Sequence, residues 1–157
     1  MSEDLAKRLE VLRDEALESS EHGDNPPGAE VFDAVVHRLA HFGETEPGID
    51  LSLQDSLSRR LAWGEAEAAV LVDCDNVCKR LLAAAERSFT DPEEAAQVIV
   101  VVTEVSCTAS RHVAMAAVQR ASKERASGRR EEMIQRQLNT AIRQQQEIIK
   151  HFSNAND

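Results

Sequence analysis

The sequence has no tyrosine, one tryptophan and four phenylalanines among 157 residues. Its core must therefore be leucine, valine and alanine, which suits close helix packing, and aromatic platforms for nucleotide bases are short of material. Cysteine occurs three times. An odd number in no secreted framework fits a reducing compartment better than a disulfide scaffold. Glycine-rich phosphate loops, tandem Cys-x-x-Cys pairs and the ordered signals of a Ser-His-Asp triad are all missing. No stretch reads as a secretory leader, and no uninterrupted apolar run reaches bilayer length. The expectation is a cytoplasmic protein with no membrane segment and no cofactor; an enzymatic role stays open only as a third reading, with a pocket around Glu104 and Arg111.

Basic charge is also in short supply. The chain carries 18 Lys and Arg against 28 Asp and Glu, a net charge of −10. Residues 1–91 hold 9 basic and 20 acidic side chains, and residues 92–157 hold 9 and 8. Such acidity disfavours nonspecific binding to nucleic acid or anionic membranes. A local basic cluster, Arg120, Lys123, Arg125, Arg129 and Arg130, reads as a solvated face or as a complement to the acidic half.

What is present in quantity is amphipathic helix. The organising stretch runs from Thr90 to Gln119. Thr90 and Glu93 have capping-box spacing, and one residue on, Asp91 caps with Pro92 in the first helical position. The run Val98 to Val102 is β-branched and would suit a strand. It finds no second strand to pair with, and the apolar pattern continues with helical period through Ala95, Val98, Ile99, Val102, Val105, Ala109, Val113 and Ala116. The opposite face carries Ala96, Val100, Thr103, Cys107, Ala114 and Val118. A helix apolar nearly all round is expected to be buried all round. Glu104, Thr108 and Arg111 lie in the narrow hydrophilic seam between the faces, where they form either a partly buried ion pair or a polar pocket.

Around this helix the sequence predicts four more. One runs from Ser2 to about Glu21 with a Leu5, Leu9, Leu12, Ala16 seam. A short one spans about Pro27 to Phe42, with Phe32, Val35, Val36, Leu39 and Phe42 inward. A long one starts near Asp50 or Ser52 and reaches Ser88 along Leu57, Leu61, Gly64, Ala68, Leu71, Cys74, Cys78, Leu81 and Ala85, with Gly64 as a point of bending or breakage. The last runs from about Arg129 to Phe152, after a break at Gly128. The fold class is all-α: an antiparallel bundle of about five helices built on a long central helical hairpin, one domain over residues 1–157 with a short polar tail at 153–157.

Two groups of residues invite a functional reading. The last helix has a strict seam, Ile134, Leu138, Ala141, Gln145, Ile148 and Phe152, spaced 4-3-4-3-4. That is heptad geometry with Gln145 as a polar, register-setting position. It predicts either packing against the hairpin or pairing with a protein partner, the simplest being a second copy in a two-fold homodimer. The other group is Asp33, His37 and His41, at i, i+4 and i+8, with Cys74 and Cys78 at i and i+4. One helical turn between imidazoles or thiols is a geometry that chelates a metal. On a helical wheel, however, the aspartate and histidines lie opposite Phe32, Val35, Val36 and Leu39 and face outward, and the cysteines lie on the core face, where buried thiols behave as small hydrophobes. The leading expectation is a non-enzymatic interaction or regulatory protein acting through helix–helix contacts. The alternative is a metal- or small-ligand-binding bundle that uses the cysteine and His/Asp positions.

Overall fold

The computed structural model describes the backbone of residues 2–17, 26–43 and 48–154. Side chains are described over 3–17, 26–43 and 51–146. Six helices occur among these residues: α1 (Ser2–Glu10), α2 (Arg13–Leu17), α3 (Ala29–Ala40), α4 (Gly48–Ala62), α5 (Glu67–Ser88) and α6 (Pro92–Asn154). No strand is present among them, and Val98 to Val102 lie inside α6, so the fold is all-α. The chain divides into two compact units, Met1–Ala117 and Val118–Asp157.

The core of the first unit is aliphatic, as the lack of aromatics requires. Leu5, Leu9, Phe32, Val35, Leu39, Leu57, Val70, Val77, Leu81, Val98 and Val102 belong to one cluster with almost no exposed surface. The helix expected over residues 2–21 is divided at Val11 and Leu12. The two pieces serve different neighbours, α1 packing on α3 and α2 on α5. Breaking the helix lets Leu5 and Leu9 bury against one neighbour and Ala16 and Leu17 against the other. The expected stop between residues 22 and 25 lies outside the described residues.

Gly28 opens α3 with φ +84, in the left-handed region that favours glycine. A Cβ at this position would stand 2.5 Å from Val77 Cγ2 and 3.3 Å from the Asp73 carbonyl oxygen. Only glycine lets the start of α3 come this close to α5. The inward face of α3 includes Val31 as well as Phe32, Val35 and Leu39, whereas Phe42 is exposed.

The long helix expected to reach Ser88 ends at Ala62. The Gly64 amide bonds the Leu61 carbonyl at 3.2 Å and the Glu65 amide bonds the Arg60 carbonyl at 3.3 Å. With Gly64 at φ +95 these two bonds form a Schellman C-cap, which satisfies the last carbonyls of α4. The interruption resets the helical phase. Val70, Cys74, Val77, Cys78, Leu81, Ala84 and Ala85 are buried, and Ala68, on the expected continuous seam, is exposed.

Asp91 caps α6: its Oδ1 accepts the Glu93 amide at 3.0 Å, and Pro92 takes the first helical position. The inward face is Val98, Val101, Val102, Val105, Ala109 and Val113, with Ala95 and Ala116 packed against it. Ile99, expected inward, is exposed and Val101 takes its place. The expectation that both faces are buried does not hold: Ala96, Val100, Thr103, Cys107, Ala114 and Val118 are all exposed. The helix also passes through Gly128 without a break. Its neighbours Arg125, Ala126, Arg129, Arg130, Glu131 and Glu132 are helix formers, and one glycine among them costs only about 1 kcal/mol relative to alanine.

The two glycines should therefore respond oppositely to the same change. Gly128→Ala should raise stability by about 0.5–1 kcal/mol, because it removes backbone freedom from an exposed helical site. Gly28→Ala should lower it by about 2 kcal/mol through the left-handed backbone and the contact with Val77. Urea unfolding followed by far-ultraviolet circular dichroism distinguishes these signs. A destabilising Gly128→Ala would show that the helix does turn there.

Candidate interaction surface

The polar groups of the first unit are mostly committed to holding helices together. Arg60, only 14% exposed, reaches carboxylates from three elements. Its Nη1 donates to Glu30 Oε1 of α3 at 2.7 Å, and its Nε donates to Glu65 in the α4–α5 turn at 2.9 and 3.0 Å. Its Nη2 donates to Asp73 of α5. The hydrogen bonds it donates to Glu65 come first among the influences that hold this guanidinium firmly charged, and the Arg60 fork in turn holds the Glu65 carboxyl below its ordinary range. The fixed fork of arginine suits this task, since five donors leave in set directions. Nothing in the spacing of Glu30, Arg60, Glu65 and Asp73 announces the cluster, and the sequence reading missed it.

Other arginines act likewise. Arg8 grips both oxygens of Glu94 at 2.8 and 2.9 Å and lies 4.7 Å from the centre of the Phe89 ring. Arg80 Nε donates to the Ala16 carbonyl at 2.6 Å, and Arg87 pairs with Glu15.

The hydrophilic seam of α6 does not form a pocket of its own. Glu104 accepts from Arg38 of α3 through Oε2, at 3.2 and 3.3 Å. Thr108 is half-buried, and Arg111 is exposed with no ion-pair partner among the described residues. His112 hydrogen-bonds Ser58 of α4 at 2.8 Å through Nε2. No carboxylate bonds this imidazole among the described residues, so the pair lacks the group that would orient a general base.

Asp33, His37 and His41 do not converge. Asp33 pairs with Arg13, which lies over Phe32, and the two imidazoles stack at 4.7 Å between centroids. His37 borders a groove of about 430 Å³ between α1 and α3, floored by Ala6, Phe32, Val36 and Ala40. On its rim Lys7 pairs with Glu3 and Arg13 with Asp33, and Glu10 adds a further carboxylate. No group of three or more His, Cys, Asp or Glu side chains among the described residues is arranged around a common point.

Cys74 and Cys78 are buried and Cys107 is exposed. Burial, then the nearby Glu30 carboxylate, pushes the Cys74 thiol up to about 12. Burial pushes Cys78 up to about 11 against a hydrogen bond with Ser106. Both stay protonated at neutral pH, unlike a reactive thiol.

The large exposed apolar side chains of the second unit lie on one helix. From Ser122 to Gln146 every residue of α6 is exposed. Ile134 is 47% exposed, Leu138 52% and Ile142 52%, and Ala141 and Gln145 are exposed beside them. The side chains of Ile148 and Phe152, the last members of the expected seam, lie outside those described. By length and composition alone, one helix among the described residues, α6 between Pro92 and Gln146, could cross a bilayer. A core helix passes the same test, and this one presses its valines into the first unit.

Compared with protein-family models, curated proteins and solved structures, the chain matches none.

The arginine cluster and the thiols each have a measurable signature. Arg60→Met should cost about 3 kcal/mol, because it strands a partly buried carboxylate that now has a cation. Glu65, whose folded value is lowered, contributes stability that is complete above the ordinary glutamate value and is lost as pH falls through the lowered one. Arg60→Met should therefore flatten the loss of stability as pH falls below the ordinary glutamate value, and an unchanged acid limb in urea titrations would remove the role given to this cluster. In native protein at pH 8, maleimide should label Cys107 at least about tenfold faster than Cys74 or Cys78. Mass spectrometry of the labelled peptides settles the order.

Proposed function

We propose that this chain is a non-enzymatic interaction protein that works by helix–helix contact, and that the C-terminal part of α6 pairs with a second copy of itself. One observation carries the reading: a heptad seam, Ile134, Leu138, Ala141 and Gln145, stands exposed along a continuous helix. Leu138 and Gln145 occupy a positions and Ile134 and Ala141 occupy d positions, the pattern by which two helices interlock. The flanking e and g positions are Gln135, Gln137, Ile142 and Gln144, all without charge. Two copies therefore meet without like-charge repulsion, and no charge pattern selects a different partner.

A polar residue at one a position sets register when it meets its own counterpart, and Gln145 is suited to this. A two-fold homodimer is the simplest closed assembly. We read residues 2–117 as an antiparallel bundle organised on the α5–α6 hairpin, a reading supported by the short connection at residues 89–91. We place the protein in the cytoplasm, where three unbridged thiols stay reduced, and not in a membrane or on nucleic acid.

Light scattering at micromolar concentration tests the pairing. The unmodified protein should exceed the 17.3 kDa monomer mass. Replacing Ile134 and Leu138 together with glutamate should lower the measured mass while helicity in the first unit persists. A monomer for the unmodified protein, or an unchanged mass for the double variant, would overturn the proposal.

A further inference from the structure

Within residues 92–117, α6 buries one side and leaves an apolar stripe on the other. Ala96, Val100, Thr103, Cys107 and Ala114 recur at steps of four, three, four and seven residues, which keeps them on one face of a helix. All five are exposed. Between residues 95 and 117 the only Asp, Glu, Lys or Arg side chains are Glu104 and Arg111. They border the stripe on the same flank. Two helical turns, about 10.5 Å, separate them along the axis, so they do not reach each other. Glu104 bonds Arg38 through Oε2, and Arg111 has no hydrogen bond or ion pair among the described residues.

We propose that this face is a two-fold interface with a second copy of the chain, α6 packed antiparallel on α6, in which Arg111 of each copy pairs with Glu104 of the other. The geometry leaves little choice of direction. A two-fold axis perpendicular to a pair of antiparallel helices reverses their order and keeps the same flank of each on the same side. Residue 104 of one copy then stands level with residue 111 of the other when the axis passes between Cys107 and Thr108. A parallel pair, related by a two-fold along the helix axes, sends this flank to opposite sides of the interface, where Glu104 and Arg111 meet neither each other nor their counterparts. The antiparallel contact is self-complementary, as a two-fold interface must be. It closes two identical ion pairs and sets Val100 against Met115 of the second copy. The small side chains of Ala96, Cys107 and Ala114 allow the axes to approach to about 8 Å. A carboxylate has acceptor positions for two partners, so Glu104 keeps Arg38 while taking Arg111. Those same two charges oppose burial of the face in a lipid surface.

Cys107 lies within one residue of the two-fold axis and is the exposed thiol of the described structure. A short bis-maleimide, whose two double bonds each add one thiol, should therefore cross-link the unmodified full-length protein to a dimer at micromolar concentration, and Cys107→Ser should abolish the product. Arg111→Glu should lower the yield about tenfold or more, and the charge exchange Glu104→Arg with Arg111→Glu should restore it. Ala114→Lys, at an exposed site that leaves folding intact, should block cross-linking by holding the helices apart. The variant with glutamate at 134 and 138 should cross-link through Cys107 as well as the unmodified protein does, which separates this interface from the C-terminal seam. Four results would each overturn the proposal. They are no Cys107 product, an Arg111→Glu variant that cross-links normally, a charge exchange that fails to restore, and loss of the product in the 134/138 variant. Flotation of the protein with neutral phosphatidylcholine vesicles would assign the face to a membrane instead.

Discussion

Everything in the first unit depends on where its few cations are placed. Ten basic side chains precede residue 118, against 23 acidic ones. Arg60 is the extreme case, one guanidinium shared by Glu30, Glu65 and Asp73 from α3, the α4–α5 turn and α5. The cluster keeps an excess of negative charge, so its stability rests on the fork geometry of arginine and not on neutrality. Arg8, Arg13, Arg38, Arg80 and Arg87 each cross from one helix to another as well. The two lysines, Lys7 and Lys79, pair only within their own helices, at i and i+4. In an acidic bundle with few aromatics, inter-helix specificity falls to arginine, because a rigid planar donor fixes an angle that a lysine ammonium does not.

Periodicity made the fold class and much of the core legible. The faces through Phe32, Val35 and Leu39, and through Val98, Val102, Val105, Ala109 and Val113, follow from the 3.6-residue repeat, and Asp91-Pro92 marks the start of α6. Phase was less legible. Gly64 and Gly128 are the same residue type in similar surroundings, yet one ends a helix and the other does not. The difference lies in the residue after each glycine. Glu65 gains Arg60, and with it a place beside Glu30 and Asp73, by leaving the helix, whereas Arg129 bonds the Arg125 carbonyl of its own helix. The Arg60 cluster that rewards the turn is a long-range contact, invisible to a window of neighbouring residues. Its members are scattered from Glu30 to Asp73, so the cluster itself was illegible for the same reason. The outward placement of Asp33 and His37 follows from the helical wheel, but the pairing of Glu104 with Arg38 does not.

The most informative departure concerns α6. An apolar circumference suggested a helix enclosed by its own chain, and the structure encloses only half of it. The remaining half between Ala96 and Met115, and the heptad seam from Ile134 onward, are surfaces of different chemistry. The first is flat, small and bordered by one charge of each sign; the second is branched, aliphatic and flanked by glutamine. Small residues favour close approach of two backbones, and a leucine-type seam favours interdigitation at larger separation. A single helix thus carries two exposed surfaces suited to different kinds of neighbour.

Trp63 is 83% exposed and stands beside the Schellman turn that ends α4. It is the only indole in a chain without tyrosine. Indole emission from this protein therefore originates in water, at one corner of one turn, and the interior holds only weakly emitting phenylalanines such as Phe32 and Phe89. Fluorescence will register the α4–α5 junction and its Arg60 neighbour while remaining blind to the packing of α1, α3 and α6. A spectroscopist who follows that signal alone would mistake the loosening of a corner for the unfolding of a bundle.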